Sequence, residues 1–256
     1  MSNINTFLDR IILGDCLDVM PAIPSGSINL ILTDLPYGVT DCHWDRRIDL
    51  VRLFCEYRRI LSDRGALVLM ATQPFATDLV NACRDWFRYD LVWDKEYSVG
   101  FLNANRMPLR RHEFALVFYR RLPVYNPQFG AGRPYHAKGG GMKAKGVYKP
   151  IQIIATDNDG RRYPTSVLRF PREMNSAKSK KLFHPTQKPF ALFEYFVRTY
   201  TNPGAVVLDS CLGSGTTALA CVANNRHFIG IEKDPDFVDV AEARLSRLRT
   251  GLTSAA

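Results

Sequence analysis

The chain has 256 residues, 46% of them apolar, and carries a net charge of +9. That length suits one large domain, or one domain with an insert, and the apolar share is enough for a sizeable core. No run approaches the roughly 18 apolar residues of a membrane helix, and the polar start Met1-Ser2-Asn3-Ile4-Asn5 has no signal-peptide pattern, so a cytoplasmic protein without a membrane partner is expected.

Residues 10–17 read as a short buried strand ending in Gly14-Asp15, and 18–22 as a helical turn. Residues 28–32 have the length and β-branched content of a buried strand. That strand stops on Thr33-Asp34-Leu35-Pro36-Tyr37-Gly38. In an open α/β sheet, ligands bind beyond the carboxyl ends of the strands. Pro36 fixes its own φ and biases Leu35 toward an extended conformation, which leaves stiff backbone carbonyls free to accept. Asp34 and a neighbouring carbonyl suit the two N–H bonds of a planar amine, and Tyr37 suits its ring. Alone, the same stretch is equally a strand-ending turn with a surface Asp. Residues 39–47 form a polar loop in which Trp44 is either a core cap or an exposed residue on the ligand side.

Apolar spacing predicts a helix over 50–61 and a second over 74–87, with strands at 66–71, 90–94 and 113–119. The pattern then changes. Between Tyr97 and Lys181, 17 Lys and Arg face four acids (Glu113, Asp157, Asp159, Glu173), a net +13, which leaves −4 for the rest of the chain. Such asymmetry points to a polyanion, most simply nucleic acid. Residues 123–181 are rich in Pro, Gly, Lys and Arg with poor periodicity, as in a long functional or mobile segment. Parts of it are expected to be disordered without a partner, with short strands at 151–155 and 166–170. Arg106, Arg110, Arg111, Arg133, Lys138, Lys143, Lys145, Arg161 and Arg162 are the candidates for phosphate or base contact.

Periodicity returns with a helix over 190–200, opened by Pro189. A strand at 205–209 leads into Ser210-Cys211-Leu212-Gly213-Ser214-Gly215-Thr216-Thr217 and a helix to 223. A strand at 227–232 ends on Glu232-Lys233, and a helix spans 237–248. Alternating strands and helices imply an α/β fold with a doubly wound, mostly parallel sheet. Strand, Gly-rich turn, helix and a carboxylate after the next strand is the general geometry of a nucleoside-cofactor site. The six cysteines (16, 42, 55, 83, 211 and 221) show no metal-ligand spacing. No metal is expected, and they read as reduced packing thiols.

Together these residues resemble the S-adenosylmethionine-dependent DNA amino-methyltransferases, which modify N6 of adenine or N4 of cytosine. Asp34-Leu35-Pro36-Tyr37 is similar to the family's Asp-Pro-Pro-Tyr catalytic tetrapeptide. Asp209 to Thr217 is similar to its Asp-Pro-Phe-x-Gly-Ser-Gly-Thr-Thr cofactor loop. His184-Pro185-Thr186-Gln187-Lys188-Pro189 matches the segment before the cofactor strand, and Gly14-Asp15-Cys16 the corner that meets the cofactor's adenine. The motif order is that of the family's β group.

The resemblance implies a Rossmann-like methyltransferase sheet, circularly permuted, with a basic insert: a catalytic half at 1–122, a target-recognition insert at 123–181 and a cofactor half at 182–256. It implies catalytic roles for Asp34, Leu35, Pro36 and Tyr37. It implies cofactor contacts from Asp15, Cys16, Asp34, His184, Thr186, Lys188, Asp209, Ser210, Cys211, Gly213, Ser214, Gly215, Thr216, Glu232 and Lys233. The expected cofactor is S-adenosylmethionine and the expected partner is double-stranded DNA, with a homodimer by resemblance alone; a restriction endonuclease partner is not readable. Asp at the head of the tetrapeptide leans toward adenine rather than cytosine.

The chain departs from the pattern at Leu35, where a Pro is expected, and at Ser210 and Cys211, which stand for Pro and Phe. The competing readings are a non-catalytic DNA-binding module of the same fold, and a methyltransferase acting on RNA or a small amine. Methylation at C5 of cytosine would need a nucleophilic thiolate, and the Pro-Cys that carries it in that family does not occur here.

Overall fold

The computed structural model describes residues 3–38, 46–142, 151–172 and 187–253. The chain forms two compact units, Met1–Asn126 with Ser166–Ala256, and Pro127–Thr165. In chain order the elements are β1 (Arg10–Leu13), α1 (Cys16–Val19), β2 (Ile28–Thr33), α2 (Leu50–Ile60), β3 (Leu61–Ala71), α3 (Phe75–Ala82), β4 (Phe87–Val99) and β5 (Arg110–Phe118). The smaller unit holds β6 (Gly130–Ala131), β7 (Tyr135–Ala137), β8 (Gly140–Met142), β9 (Ile151–Ile153), β10 (Thr156–Asn158) and β11 (Arg161–Arg162). The larger unit resumes with β12 (Val167–Arg169), α4 (Phe190–Tyr200), β13 (Val206–Asp209), α5 (Thr216–Ala223), β14 (His227–Glu232) and α6 (Pro235–Thr253).

Eight strands of the larger unit make one sheet in the order β1-β14-β13-β2-β3-β5-β4-β12. Every pairing is parallel except those of β5, which runs against both β3 and β4. The central strands are buried on both faces, as a helix-covered parallel sheet requires. On one face Leu30, Leu32, Val68 and Met70 pack with Leu192, Phe193 and Phe196 of α4 and with α5 and α6. On the other, Ile28, Ile31, Leu67 and Leu69 pack with Leu53, Phe54, Tyr57 and Ile60 of α2 and with α3. Asp49 caps α2, accepting from the N–H groups of Val51 (2.9 Å) and Arg52 (3.2 Å), a contribution of about 1 kcal/mol.

This topology sets the site. β2, β13 and β14 all finish at the same edge, on Thr33-Asp34, Asp209 and Glu232. The reversed β5 brings its beginning to that edge, where Glu113 pairs with Trp93 of β4. Strands made late in the chain therefore lie beside strands made early, with β13 directly against β2.

Four details differ from the sequence reading. α3 ends at Ala82 rather than near 87, because Cys83 leaves the helical region (φ −142°, ψ 47°) and Phe87 already belongs to β4. β1 is an edge strand of exposed and half-buried residues, not a buried one. β3 begins at Leu61, with a register shift between Ile28 and Leu30 of its partner. Residues 167–169, read as part of the insert, form β12 of the main sheet, paired with β4.

Within the smaller unit, three antiparallel pairs form: β7 with β10, β6 with β11, and β8 with β9. Phe129 and Tyr163 stack at 4.9 Å, and Arg161 and Arg162 lie over Phe129 (5.3 Å) and Tyr135 (4.9 Å). Among the described residues no helix is long and apolar enough to cross a membrane.

Candidate active site

A cavity of about 320 Å³ opens at the carboxyl edge of the sheet, within the size range of small-molecule sites. Its wall collects Gly14-Asp15-Cys16, the tetrapeptide Asp34 to Tyr37, Lys188, the loop from Asp209 to Ser214, Thr216, and Glu232-Lys233. Residues from near both ends of the chain thus share one chamber, as the two motifs require. Gly215 is not among the lining residues. Lys143, Lys145, His184, Thr186 and Trp44 lie outside the described residues.

On the β2 side, Asp34 sits one residue past the strand with both carboxylate oxygens engaged. Oδ1 accepts from the Tyr37 hydroxyl at 2.8 Å, and Oδ2 accepts from the Lys188 ammonium. Glu113 lies behind them. Its Oε2 is 3.4 Å from the Tyr37 hydroxyl and 3.5 Å from Lys188 Nζ, and its Oε1 accepts from Lys95 at 2.9 Å. Two acids and two ammonium groups therefore alternate in a nearly closed network.

Burial pushes the Asp34 carboxyl above its ordinary value, with Lys188 opposing the shift and Glu113 adding to it. Burial also acts on Glu113, but Lys188 and Lys95 outweigh it and hold that carboxyl below the usual range. Burial disfavours a charged Lys188, yet Asp34 and Glu113 outweigh it and raise its pKa. Burial, then the charges of Asp34 and Glu113, push Tyr37 well above the usual phenol value, so it stays a donor. The Tyr37 ring packs on Phe75 at 5.6 Å, and Leu35 is buried.

On the opposite wall, the glycine-rich loop hangs from β14. Glu232 accepts from the N–H of Gly213 through Oε2 (2.7 Å) and from that of Asp234 through Oε1 (2.9 Å). The N–H of Gly14 donates to the Glu232 carbonyl at 2.9 Å, which joins the first corner to the same strand end. Asp15 accepts from the N–H of Leu17 at 2.8 Å and so caps α1. Gly213 and Gly215 both take left-handed φ values (+53° and +84°). A Cβ on Gly213 would meet nothing within 4 Å, whereas one on Gly215 would lie 2.8 Å from Cβ of Ala241 in α6.

Asp209 is a brace between the two walls. Oδ1 accepts from the Thr33 hydroxyl (2.7 Å) and the Cys211 N–H (3.1 Å), and Oδ2 accepts from the Thr217 hydroxyl. Thr33 immediately precedes Asp34, so the end of β2, the Gly213 loop and α5 meet on one carboxylate. Burial raises the Asp209 pKa to about 6, with the Thr217 and Thr33 hydrogen bonds opposing it. Ser210, where the family motif has Pro, shares a 2.5 Å hydrogen bond with the Tyr57 hydroxyl of α2. Cys211, where the motif has Phe, faces Cys16; that thiol contact and then burial push its pKa well up.

Several lining residues escaped sequence reasoning: Trp93, Lys95, Glu113, Arg172, Phe193 and Phe237. Glu113 carried a readable signal, since it is an acid heading an otherwise apolar strand in a strongly basic stretch. Of the DNA-contact candidates, Arg106 and Arg110 are exposed near the β4–β5 turn, while Arg111 forks onto Asp94 (2.6 and 3.0 Å). Within the smaller unit, Arg133 and Lys138 are exposed, Arg161 pairs with Asp159 at 2.9 Å, and Arg162 donates to Asn158 and to the Arg133 carbonyl.

A mostly parallel α/β sheet with a Gly-rich loop, an acid after the next strand and Asp-Leu-Pro-Tyr at the adjoining strand end defines a Rossmann-like, nucleoside-cofactor methyltransferase. Residues 28–243 match the N6/N4 family described as DNA methylase, and the chain belongs to that family. It is 28% identical to the type II methyltransferase M.HinfI of Haemophilus influenzae, over 96% of this chain and 71% of that protein. The fold is similar to that of M1.HpyAVI in complex with S-adenosylmethionine, at a TM-score of 0.62 and 24% identity over 92% of this chain and 98% of that one. It is equally similar to the cytosine-N4-specific PvuII DNA methyltransferase, at a TM-score of 0.64 and 17% identity over 91% and 84% of the two chains. S-adenosylmethionine is the family's cofactor, and this cavity fits it. The cavity offers a carboxylate at the β14 end, open space beyond Gly213 and a volume of ligand size.

Proposed function

We propose that the chain is a site-specific DNA adenine-N6 methyltransferase that acts on an adenine flipped out of the duplex. The observation that carries the reading is Asp34. This shielded, ion-paired carboxylate stands at the head of the tetrapeptide, in the same cavity as the Gly213 loop and Glu232. When bound, S-adenosylmethionine supplies an electrophilic methyl group.

This chain's residues do the rest. Glu232, Asp15, Cys16, Gly213, Ser214 and Thr216 would hold the cofactor, with Lys188 and Lys233 at the wall. Asp209, Ser210 and Gly215 shape the loop that presents them. An exocyclic base amine is a poor nucleophile because its lone pair is conjugated into the ring. Asp34 and the Leu35 carbonyl accept its two N–H bonds and favour a pyramidal nitrogen. The Asp34 charge is already in place where positive charge develops, so no reorganisation is needed during transfer. Tyr37 stacks on the extruded base. No strong base is needed, because a methylated ammonium sheds its proton readily. Pro36 holds the backbone that presents Leu35.

Adenine is preferred because Asp rather than Ser heads the tetrapeptide; a fold shared with a cytosine-N4-specific enzyme does not choose the base. The basic segment supplies affinity for duplex DNA. Asp34→Ala is expected to lower methyl transfer by at least about 100-fold while leaving cofactor binding intact. Asp34→Ala enzyme that transfers at wild-type rate would sink the mechanism.

A further inference from the structure

Both oxygens of Asp34 are already occupied, one by the Tyr37 hydroxyl at 2.8 Å and the other by the Lys188 ammonium. An incoming amine must therefore share an oxygen with a donor already there or displace that donor. Each displaced donor needs somewhere to go, because a buried ammonium or hydroxyl left unpaired is strongly unfavourable. Glu113 is the acceptor within reach of both. Its Oε2 stands 3.4 Å from the Tyr37 hydroxyl and 3.5 Å from Lys188 Nζ. Both separations exceed a full hydrogen bond by well under one ångström. Glu113 is itself held, since Lys95 donates to its other oxygen at 2.9 Å and lies 5.7 Å from the Trp93 ring.

We infer that Glu113 is a positioning residue that receives the Lys188 ammonium and the Tyr37 hydroxyl when Asp34 turns to the target amine. This rests on the catalytic reading of Asp34 given above. After the exchange both ammonium groups pair with Glu113, and Asp34 gives up its ion pair to face the amine on which positive charge develops. The exchange also explains why the network is built from four elements. Asp34 and Tyr37 follow β2, Lys95 is on β4, Glu113 is on β5, and Lys188 precedes α4. Asp209, at the end of β13, adds its charge to the same neighbourhood.

The test is single-turnover methyl transfer to unmethylated duplex DNA across pH, with S-adenosylmethionine affinity measured on the same proteins. Glu113→Gln is expected to bind the cofactor normally and to transfer about 100-fold more slowly on the pH plateau. Its acidic limb is expected to move to lower pH, because the Glu113 charge that raises the Asp34 pKa is gone. Glu113→Asp restores the charge, returns the limb to its wild-type position and recovers part of the rate. A merely structural role predicts instead that rate and cofactor affinity fall together with the limb unmoved, and that result overturns the inference. So does wild-type transfer with a wild-type profile in Glu113→Gln. If the amide variant fails to fold, Glu113→Asp decides: a slowed plateau with cofactor affinity unchanged supports the inference, and a wild-type rate, or rate and affinity falling together, overturns it. Wild-type protein that transfers nothing to DNA overturns the catalytic reading itself, and this inference with it.

Discussion

Gly213 and Gly215 lie two residues apart in one loop, and the structure assigns them different jobs. Both have left-handed φ values, so an alanine at either position costs roughly 1–2 kcal/mol in backbone strain. Beyond that they diverge. An alanine methyl at 213 meets nothing within 4 Å, whereas one at 215 lies 2.8 Å from Cβ and 3.2 Å from Cα of Ala241. Backbone cannot swing aside as a flexible side chain does, so Gly215→Ala carries a further overpacking penalty of about 1–3 kcal/mol. Gly213 lines the cavity and donates its N–H to Glu232 at 2.7 Å. A methyl there fills space reserved for ligand. Urea unfolding and cofactor titration on both variants therefore separate the roles. Gly213→Ala loses about 1–2 kcal/mol of stability and at least about tenfold in S-adenosylmethionine affinity, about 1.4 kcal/mol of binding energy. Gly215→Ala loses two to three times as much stability as Gly213→Ala and proportionally less affinity. Equal stability losses, or wild-type cofactor affinity in Gly213→Ala, would refute this division.

Asp209 predicts a pH signature. Its pKa rises from 3.8 to about 6 on folding, so the folded state holds this proton more tightly than the unfolded chain. Stability from this group is complete below about pH 4, falls by roughly 3 kcal/mol as pH rises to about 6, and is flat above. Asp209→Asn removes that slope. The difference in unfolding free energy between wild type and variant is expected to change across this window, and a pH-independent difference contradicts it. Cys211 lines the cavity and Cys55 is exposed on α2. Alkylation followed by mass spectrometry is expected to show Cys211 reacting slowly, as its raised pKa demands, and more slowly still with S-adenosylmethionine, while Cys55 is unaffected. Equal Cys211 labelling with and without cofactor would place that side chain away from the cofactor.

The sheet was legible because its strands are near-continuous Val, Ile and Leu runs, and local sequence suffices to mark those. The end of α3 was not, because Cys83, Trp86 and Phe87 keep a helical apolar spacing, whereas the backbone leaves the helix at Cys83 and Phe87 enters β4. β12 was expected as a short strand, but its place in the main sheet was hidden. Three residues carry no signal of which sheet they join, and that is decided by their pairing with β4. In the candidate site, the tetrapeptide and the glycine loop were readable because each is contiguous and each follows a strand. Lys95 was not, and Glu113 stood out only as an acid in a basic stretch: their partnership arises when the reversed β5 lays Glu113 beside β4 and the segment before α4 brings Lys188 across. Asp209 shows the opposite limit. The sequence marks it as a cofactor-site residue and it lines the cavity, but the sequence does not show that its hydrogen bonds to Thr33, Thr217 and Cys211 also make it a brace.

The most direct test of the central claim is methyl transfer from labelled S-adenosylmethionine to unmethylated duplex DNA, with nucleoside analysis of the digest. The account predicts N6-methyladenine. N4-methylcytosine would contradict the assignment of the base while keeping the chemistry, and no transfer despite measurable cofactor binding would contradict the catalytic reading as a whole.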